Sequence, residues 1–240
     1  MSQQSSALRV KLFLDGADLA SMRDAYQDGL VQGFTTNPTL MRKSGITDYE
    51  GFARSVIAEI PDLPISFEVF SDDFDQMERE ARAIASWGGL TYVKVPITNT
   101  RGDSALPLVQ RLSADGLRVN VTAILTLEQV RATAAVLDPS TPSIVSVFAG
   151  RIADTGVDPV PLMSAAAEIL AGNRTAELLW ASPRELLNLF QAGDCGCHIL
   201  TATADVIKKL QLVGKDLEQY SLETVQMFYK DAQEAGFKIV

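Results

Sequence analysis

Histidine is nearly missing from this chain: His198 is the only one in 240 residues. Zinc sites built on two or three histidines are therefore out of reach within one chain. A Ser-His-Asp triad is open only if His198 itself is the base. That residue lies in Gly193-Asp194-Cys195-Gly196-Cys197-His198-Ile199, before or early in a predicted strand, where a structural role is the simpler reading. Cysteine is almost as scarce. Cys195 and Cys197 are too close together for an ordinary disulfide and too few for a four-ligand zinc site. A reducing, cytoplasmic setting fits that usage. No apolar run reaches the ~18 residues of a membrane span. Residues 1–7 are polar and serine-rich rather than signal-like, and residues 1–9 read as a loose N-terminal tail. A net charge of −9 argues against nonspecific nucleic-acid binding, but leaves room for a locally basic phosphate pocket. Neither GxxxxGK[ST] nor GxGxxG occurs, so no nucleotide is expected. The chemistry must come from Lys, Asp, Glu, Arg and hydroxyl side chains.

What is present is a rhythm. Short apolar runs at 11–14, 31–35, 65–70, 91–95, 118–122, 143–147, 177–181 and 197–201 alternate with longer amphipathic stretches. In the stretch 74–85, Asp75, Glu78, Arg79, Glu80 and Arg82 frame Phe74, Met77, Ala81, Ile84 and Ala85 at helical spacing. Similar patterns cover 19–27, 49–59, 105–114, 127–136, 159–170, 184–191 and 204–212. Such alternation predicts parallel strands with helical crossovers. Eight units in 240 residues average about 30 residues each, the scale of one βαβ unit. Eight repeats of one type favour a closed α/β barrel of the (β/α)8 (TIM) kind over an open sheet. No compositional break divides the chain, so residues 1–240 read as a single barrel domain with a C-terminal helical extension, 215–240. Within it, 222–237 read as a helix whose Val225, Met227, Phe228, Ala232 and Ala235 suit packing on this barrel or on a neighbouring subunit.

Thr91-Tyr92-Val93-Lys94-Val95-Pro96 sets a lysine inside an apolar, β-branched, Pro-terminated run, the pattern of a buried strand. A buried ammonium is costly unless it is paired or gives up its proton, and a neutral amine attacks carbonyl carbon. Alone, Lys94 reads more simply as a strand-end lysine that snorkels to water or pairs with a carboxylate. The other strands shift that balance. Asp15 ends the first run, and Thr35 and Asn37 end the second. Glu68 lies in the third, Asn120 and Thr122 in the fifth, and Ser146 in the sixth with Phe148 and Arg151 just after it. Ser182 ends the seventh. Asn120 and Thr122 are two apart, as are Ser146 and Phe148, so each pair shares a strand face. In a barrel these late positions meet at the C-terminal rim, where barrel active sites are built. Lys11 starts its strand and belongs to the opposite rim. A cap or a satisfied core hydroxyl explains any one of these residues, but not their recurrence strand after strand. Together they hold the parts of imine catalysis. Lys94 is the amine. Asp15 and Glu68 are carboxylates able to move protons in carbinolamine dehydration and carbon–carbon cleavage. Arg151 is a guanidinium able to hold a phosphate.

Phe13-Leu14-Asp15, Gly33-Phe34-Thr35-Thr36-Asn37-Pro38-Thr39-Leu40, Ser66-Phe67-Glu68-Val69, Tyr92-Val93-Lys94-Val95-Pro96 and Asn120-Val121-Thr122 together resemble the transaldolase family. So do Ser146-Val147-Phe148-Ala149-Gly150-Arg151-Ile152 and Ala181-Ser182. The resemblance runs in order from Asp15 to about residue 210, and the chain length resembles that of the short branch, which includes fructose-6-phosphate aldolases. It implies a Schiff-base barrel enzyme with no metal or organic cofactor, acting on sugar phosphates in the pentose phosphate pathway. It also implies a homo-oligomer, since compact relatives often form decamers or smaller rings. By the resemblance, Lys94 is the imine lysine and Glu68 the carboxylate that orients a catalytic water, which Thr122 helps to place. Asp15 handles the proton of the hydroxyl beside the cleaved bond. Asn37 and Asn120 hold the dihydroxyacetone hydroxyls, and Ser146 and Phe148 flank the imine. Arg151 binds phosphate, with Ser182 nearby.

Two positions bear on reaction type. The aldolase branch tends to carry glutamine where Glu68 stands and tyrosine where Phe148 stands; both residues here are of the transaldolase kind. Tyrosine could protonate a carbanionic enamine and release dihydroxyacetone, whereas phenylalanine cannot, so the enamine would wait for an acceptor aldehyde. Free aldol cleavage and a weakly active sugar-phosphate binder are the alternatives. One segment departs from the family: Ser182 is followed by Pro183-Arg184 rather than by an aromatic and a basic residue. Arg184 suits either the phosphate site or the solvent-facing first turn of a helix.

Overall fold

The computed structural model describes residues 8–239. Eight parallel strands follow one another around a closed barrel in sequence order. They are β1 (Lys11–Asp15), β2 (Gly33–Thr35), β3 (Pro64–Glu68), β4 (Leu90–Pro96), β5 (Val119–Ile124), β6 (Ser143–Val147), β7 (Ala176–Trp180) and β8 (Ile199–Ala202), with β8 returning to pair with β1. Helices α1 (Leu19–Gln27), α2 (Pro38–Lys43), α3 (Tyr49–Glu59), α4 (Phe74–Ala85), α5 (Leu106–Ala114), α6 (Leu127–Val136), α7 (Ala149–Ala153), α8 (Val160–Leu170), α9 (Leu187–Asp194) and α10 (Ala204–Lys208) connect or follow them. Local chemistry sets many of the starts. Asp18, Asp48 and Asp73 each accept an N–H from the first turn of α1, α3 and α4, and Thr126 with Gln129 forms a reciprocal capping box on α6.

The barrel interior is layered, as strand alternation requires. At the N-terminal rim Lys11 Nζ pairs with Glu177 Oε1 at 2.7 Å, the opposite end from Lys94. The middle layer joins buried Phe13, Ile144, Leu179 and Ile199, with Tyr92 packed against them. Gly33 makes this layer possible: a Cβ there would lie 2.4 Å from the Phe13 ring. The next inward positions form the C-terminal layer, and the register sets Asp15 beside Thr35 and Glu68 beside Lys94 beside Asn120.

Several boundaries differ from the sequence pattern. β2 begins at Gly33 rather than at 31, because the Gln32 side chain takes the Leu12 N–H at 2.8 Å in place of backbone. β5 extends to Ile124 with a register break after Val121, where Ala123 has φ 62°. β7 stops at Trp180, and Ser182 follows it in a left-handed conformation, φ 57°. α9 starts at Leu187 because the Asn188 carboxamide oxygen accepts the Arg184 and Glu185 N–H groups in a turn. α2 and α7, of six and five residues, are too short to show a periodic face.

The described residues fall into two compact units, one ending at Ile207 and one beginning at Lys208. The second holds a 3₁₀ turn (Lys209–Leu212) and α11 (Leu217–Glu234). α11 starts five residues before the predicted 222, because Asp216 caps it by accepting the Gln219 N–H at 2.8 Å. No side chain of α11 is buried. In the N-terminal stretch, residues 1–7 lie outside the described residues, and Arg9 pairs with Asp194 at 3.3 Å. No helix among the described residues is long and apolar enough to cross a membrane.

Candidate active site

A cavity of about 730 Å³ opens at the C-terminal end of the barrel. Asp15, Thr35, Asn37, Glu68, Lys94, Thr122, Ser146, Phe148, Arg151, Ser182 and Arg184 line it, so eleven of the twelve site residues read from the sequence share one wall. The twelfth, Asn120, is fully buried beneath it. Its carboxamide donates to Ser66 Oγ at 3.0 Å and accepts from Ser146 Oγ at 2.6 Å, which links β5 to β6 and, across β4, to β3, and orients Ser146.

Lys94 is 6% exposed. Its Nζ lies 3.0 Å from Glu68 Oε2 and donates to the Thr36 carbonyl at 2.8 Å. The amine is thus held at the cavity floor with a carboxylate within proton-transfer reach. On the far side, Asp15 accepts from Thr35 Oγ1 at 2.7 Å and, more weakly, from Asn37 Nδ2 at 3.5 Å. Thr35 Oγ1 also meets Thr201 Oγ1 at 2.5 Å. Burial pushes the Asp15 carboxyl above its ordinary range and the Glu68 charge adds to this, while the Lys94 charge and the Thr35 and Asn37 bonds pull the other way. Thr122 Oγ1 is buried and has no hydrogen-bond partner among the described residues, although buried hydroxyls are normally satisfied. The residue lines the cavity.

The phosphate-type residues come from the loops after β6 and β7. Arg151 lies on α7 with its guanidinium carbon 5.3 Å from the Phe148 ring centroid, a cation–π distance. Gly150 lets α7 press against the next loop: a Cβ there would lie 1.5 Å from the Ser182 carbonyl oxygen. That close approach brings Arg151 and Ser182 to one cavity edge. Arg184 reaches the same cavity but is already engaged, with Nε 2.9 Å from Asp154 Oδ1 and Nη2 bonded to Asp154 Oδ2.

Sequence reasoning missed three contributors. Thr201 supports Thr35 from β8, and its place at the end of the eighth apolar run was the available signal. Lys43, in the last turn of α2, lines the mouth. Thr36 acts through its carbonyl, which no side-chain pattern announces. His198 does not line this cavity; its Nδ1 accepts the N–H of Leu178, in the middle of β7, at 3.0 Å. Cys195 and Cys197 are buried free thiols. A second, more apolar cavity of about 890 Å³ borders Glu68 and Pro38 from the other side and is lined by Met41, Ile46, Phe70 and Met77. Neither the lysine nor Asp15 lines it.

Comparison with known proteins gives the family of the chain. The sequence matches the family described as "Transaldolase/Fructose-6-phosphate aldolase" over residues 12–239. A "Probable transaldolase 2" of Listeria monocytogenes is 34% identical over 215 residues, covering 88% of this chain and 94% of that protein. A "Probable transaldolase" of Thermoanaerobacter sp. is 34% identical over 231 residues, covering 96% and 100%. Another, of Roseiflexus castenholzii, is 37% identical over 205 residues, covering 83% and 88%. Among solved structures, a putative phosphonomutase from Burkholderia cenocepacia superposes with a TM-score of 0.55 at 11% identity, covering 98% of this chain and 99% of that one. That likeness bears on the barrel fold alone.

Proposed function

Since the chain belongs to the transaldolase/fructose-6-phosphate aldolase family, we propose that it is a transaldolase moving a dihydroxyacetone unit between sugar phosphates through an imine on Lys94. The observation that carries this reading is the buried Lys94 amine, 3.0 Å from Glu68, in a cavity that also holds Asp15. In the first step Nζ adds to the carbonyl carbon of a ketose phosphate, fructose 6-phosphate or sedoheptulose 7-phosphate. Glu68 shuttles the proton that lets hydroxide leave as water, with Thr122 Oγ1 helping to hold that water. Asp15 then accepts the proton of the hydroxyl next to the breaking carbon–carbon bond; the aldose phosphate departs, and the electron pair passes into an enamine. The enamine carbon attacks a second aldose phosphate, Asp15 returns its proton to the new hydroxyl, and Glu68-directed water hydrolyses the imine. Thr35 and Asn37 hold the Asp15 carboxylate; Asn37 also faces the substrate hydroxyls. Arg151 and Ser182 take the phosphate.

Transfer rather than free cleavage is supported by Phe148, which lines the cavity where a tyrosine would bring a proton to the enamine. The reaction belongs to pentose phosphate metabolism in the cytoplasm. Assembly as a homo-oligomer is supported by α11, whose Leu217, Val225, Phe228 and Tyr229 are all exposed. The test is a product balance. With fructose 6-phosphate and erythrose 4-phosphate, sedoheptulose 7-phosphate should form far faster than free dihydroxyacetone. Release of dihydroxyacetone at the same rate without acceptor would make the protein a lyase.

A further inference from the structure

Tyr49, the first residue of α3, does work that a neighbouring strand normally does. In a parallel ladder, alternate residues turn their N–H and C=O to the same neighbour. On the β4 side of β3, the Val69 N–H donates to the Lys94 carbonyl at 3.1 Å. On the β2 side, the Thr36 N–H donates to the Ser66 carbonyl at 3.1 Å. The next rung on that side would run from the Glu68 N–H to the Thr36 carbonyl. Asn37-Pro38 turns the chain into α2 at this point, and Pro38 has no N–H to extend the ladder. The Glu68 N–H donates instead to Tyr49 Oη at 2.8 Å, and the Tyr49 hydroxyl donates to the Glu68 carbonyl at 3.0 Å. The Thr36 carbonyl is thereby left for Lys94 Nζ, which reaches it at 2.8 Å.

The tyrosine is well fixed for this task. Its ring centroid lies 4.6 Å from that of Phe70, 5.3 Å from Trp87 and 6.1 Å from Phe67, the last two edge to face. Burial pushes its phenol upward, so the hydroxyl keeps the proton it donates.

We propose that Tyr49 is a positioning residue for Lys94: its hydroxyl takes over the backbone of Glu68, so that the Thr36 carbonyl is free to orient the amine. The inference rests on the imine reading above for its kinetic consequence, but not for its structural one. Tyr49→Phe removes the hydroxyl and leaves the ring in its aromatic surround. In this variant the imine trapped by borohydride from fructose 6-phosphate should form about tenfold more slowly, the loss of one well-placed hydrogen bond. kcat should fall in parallel with KM unchanged. Labelling should still reach the wild-type final extent, which separates slowed chemistry from lost protein. A crystal structure of the variant should show the Glu68 N–H on the Thr36 carbonyl and Lys94 displaced from it. Wild-type trapping rates overturn the proposal, and so does a structure in which Lys94 remains on the Thr36 carbonyl. If no lysine of the wild type is ever labelled, the imine reading fails, and the crystal structure of the variant still decides the role of Tyr49.

Discussion

Arg151→Ala and Arg184→Ala should differ sharply, although both guanidiniums line the same cavity. Among the described residues Arg151 makes no ion pair; its neighbour is the Phe148 ring at 5.3 Å. Arg184 is held by Asp154 through two nitrogens, with the two side chains 48% and 52% exposed. A phosphate dianion near Arg151 therefore meets an uncompensated positive charge. Near Arg184 it meets a neutral pair and the repulsion of Asp154. A charge-assisted hydrogen bond contributes about 1.5–3 kcal/mol, so Arg151→Ala should cost roughly ten- to a hundredfold in kcat/KM for fructose 6-phosphate. Recruiting Arg184 means first giving up a half-exposed pair worth about 0.2–1 kcal/mol, and Asp154 stays behind as a like charge. Its removal should then cost roughly threefold or less. Asp154→Ala should instead lower KM for phosphorylated sugars by freeing Arg184. The assay is kcat/KM for fructose 6-phosphate and for fructose with each variant. Equal losses in the two arginine variants would refute the assignment of Arg184 to Asp154. No change in the phosphate preference in either would refute the phosphate site altogether.

Two further outcomes follow from the cavity's geometry. Asp15 must be ionised to accept a proton, and its carboxyl is raised from the ordinary 3.8, by burial first. The acid limb of kcat should therefore lie above that value. Thr35→Val removes a hydrogen bond that favours the ionised form, so the limb should move to still higher pH; a limb that stays or moves down would contradict the assigned role. Phe148→Tyr puts a hydroxyl into the cavity beside the enamine, and the ratio of free dihydroxyacetone to transferred product, measured without and with erythrose 4-phosphate, should rise. An unchanged ratio would remove Phe148 as the determinant of transfer.

The barrel was legible because eight short apolar runs alternated with amphipathic stretches of the right length, and the site because seven of those runs carried a polar residue near their end. Lys94 between Val93 and Val95, Glu68 after Phe67, and Ser146 between Val145 and Val147 could be placed by alternation alone. Asn120 shows the limit of alternation. Its parity was read correctly, but whether its carboxamide meets substrate or the Ser66 and Ser146 hydroxyls depends on cross-strand distance. The pairing of Arg184 with Asp154 joins residues thirty positions apart through two loops, and no local pattern encodes it. Tyr49 was hidden for a different reason. It looks like an ordinary first-turn residue of an amphipathic helix, and its task is set by where β2 stops, a backbone event three-dimensional in origin.

The central claim is that Lys94 carries the substrate, and borohydride trapping tests it most directly. The protein is incubated with fructose 6-phosphate, reduced, digested and mapped by mass. The account predicts a dihydroxyacetone or ketose phosphate adduct on Lys94, absent from a folded Lys94→Met variant. An adduct on another lysine, or full transfer activity with no adduct at all, would contradict it.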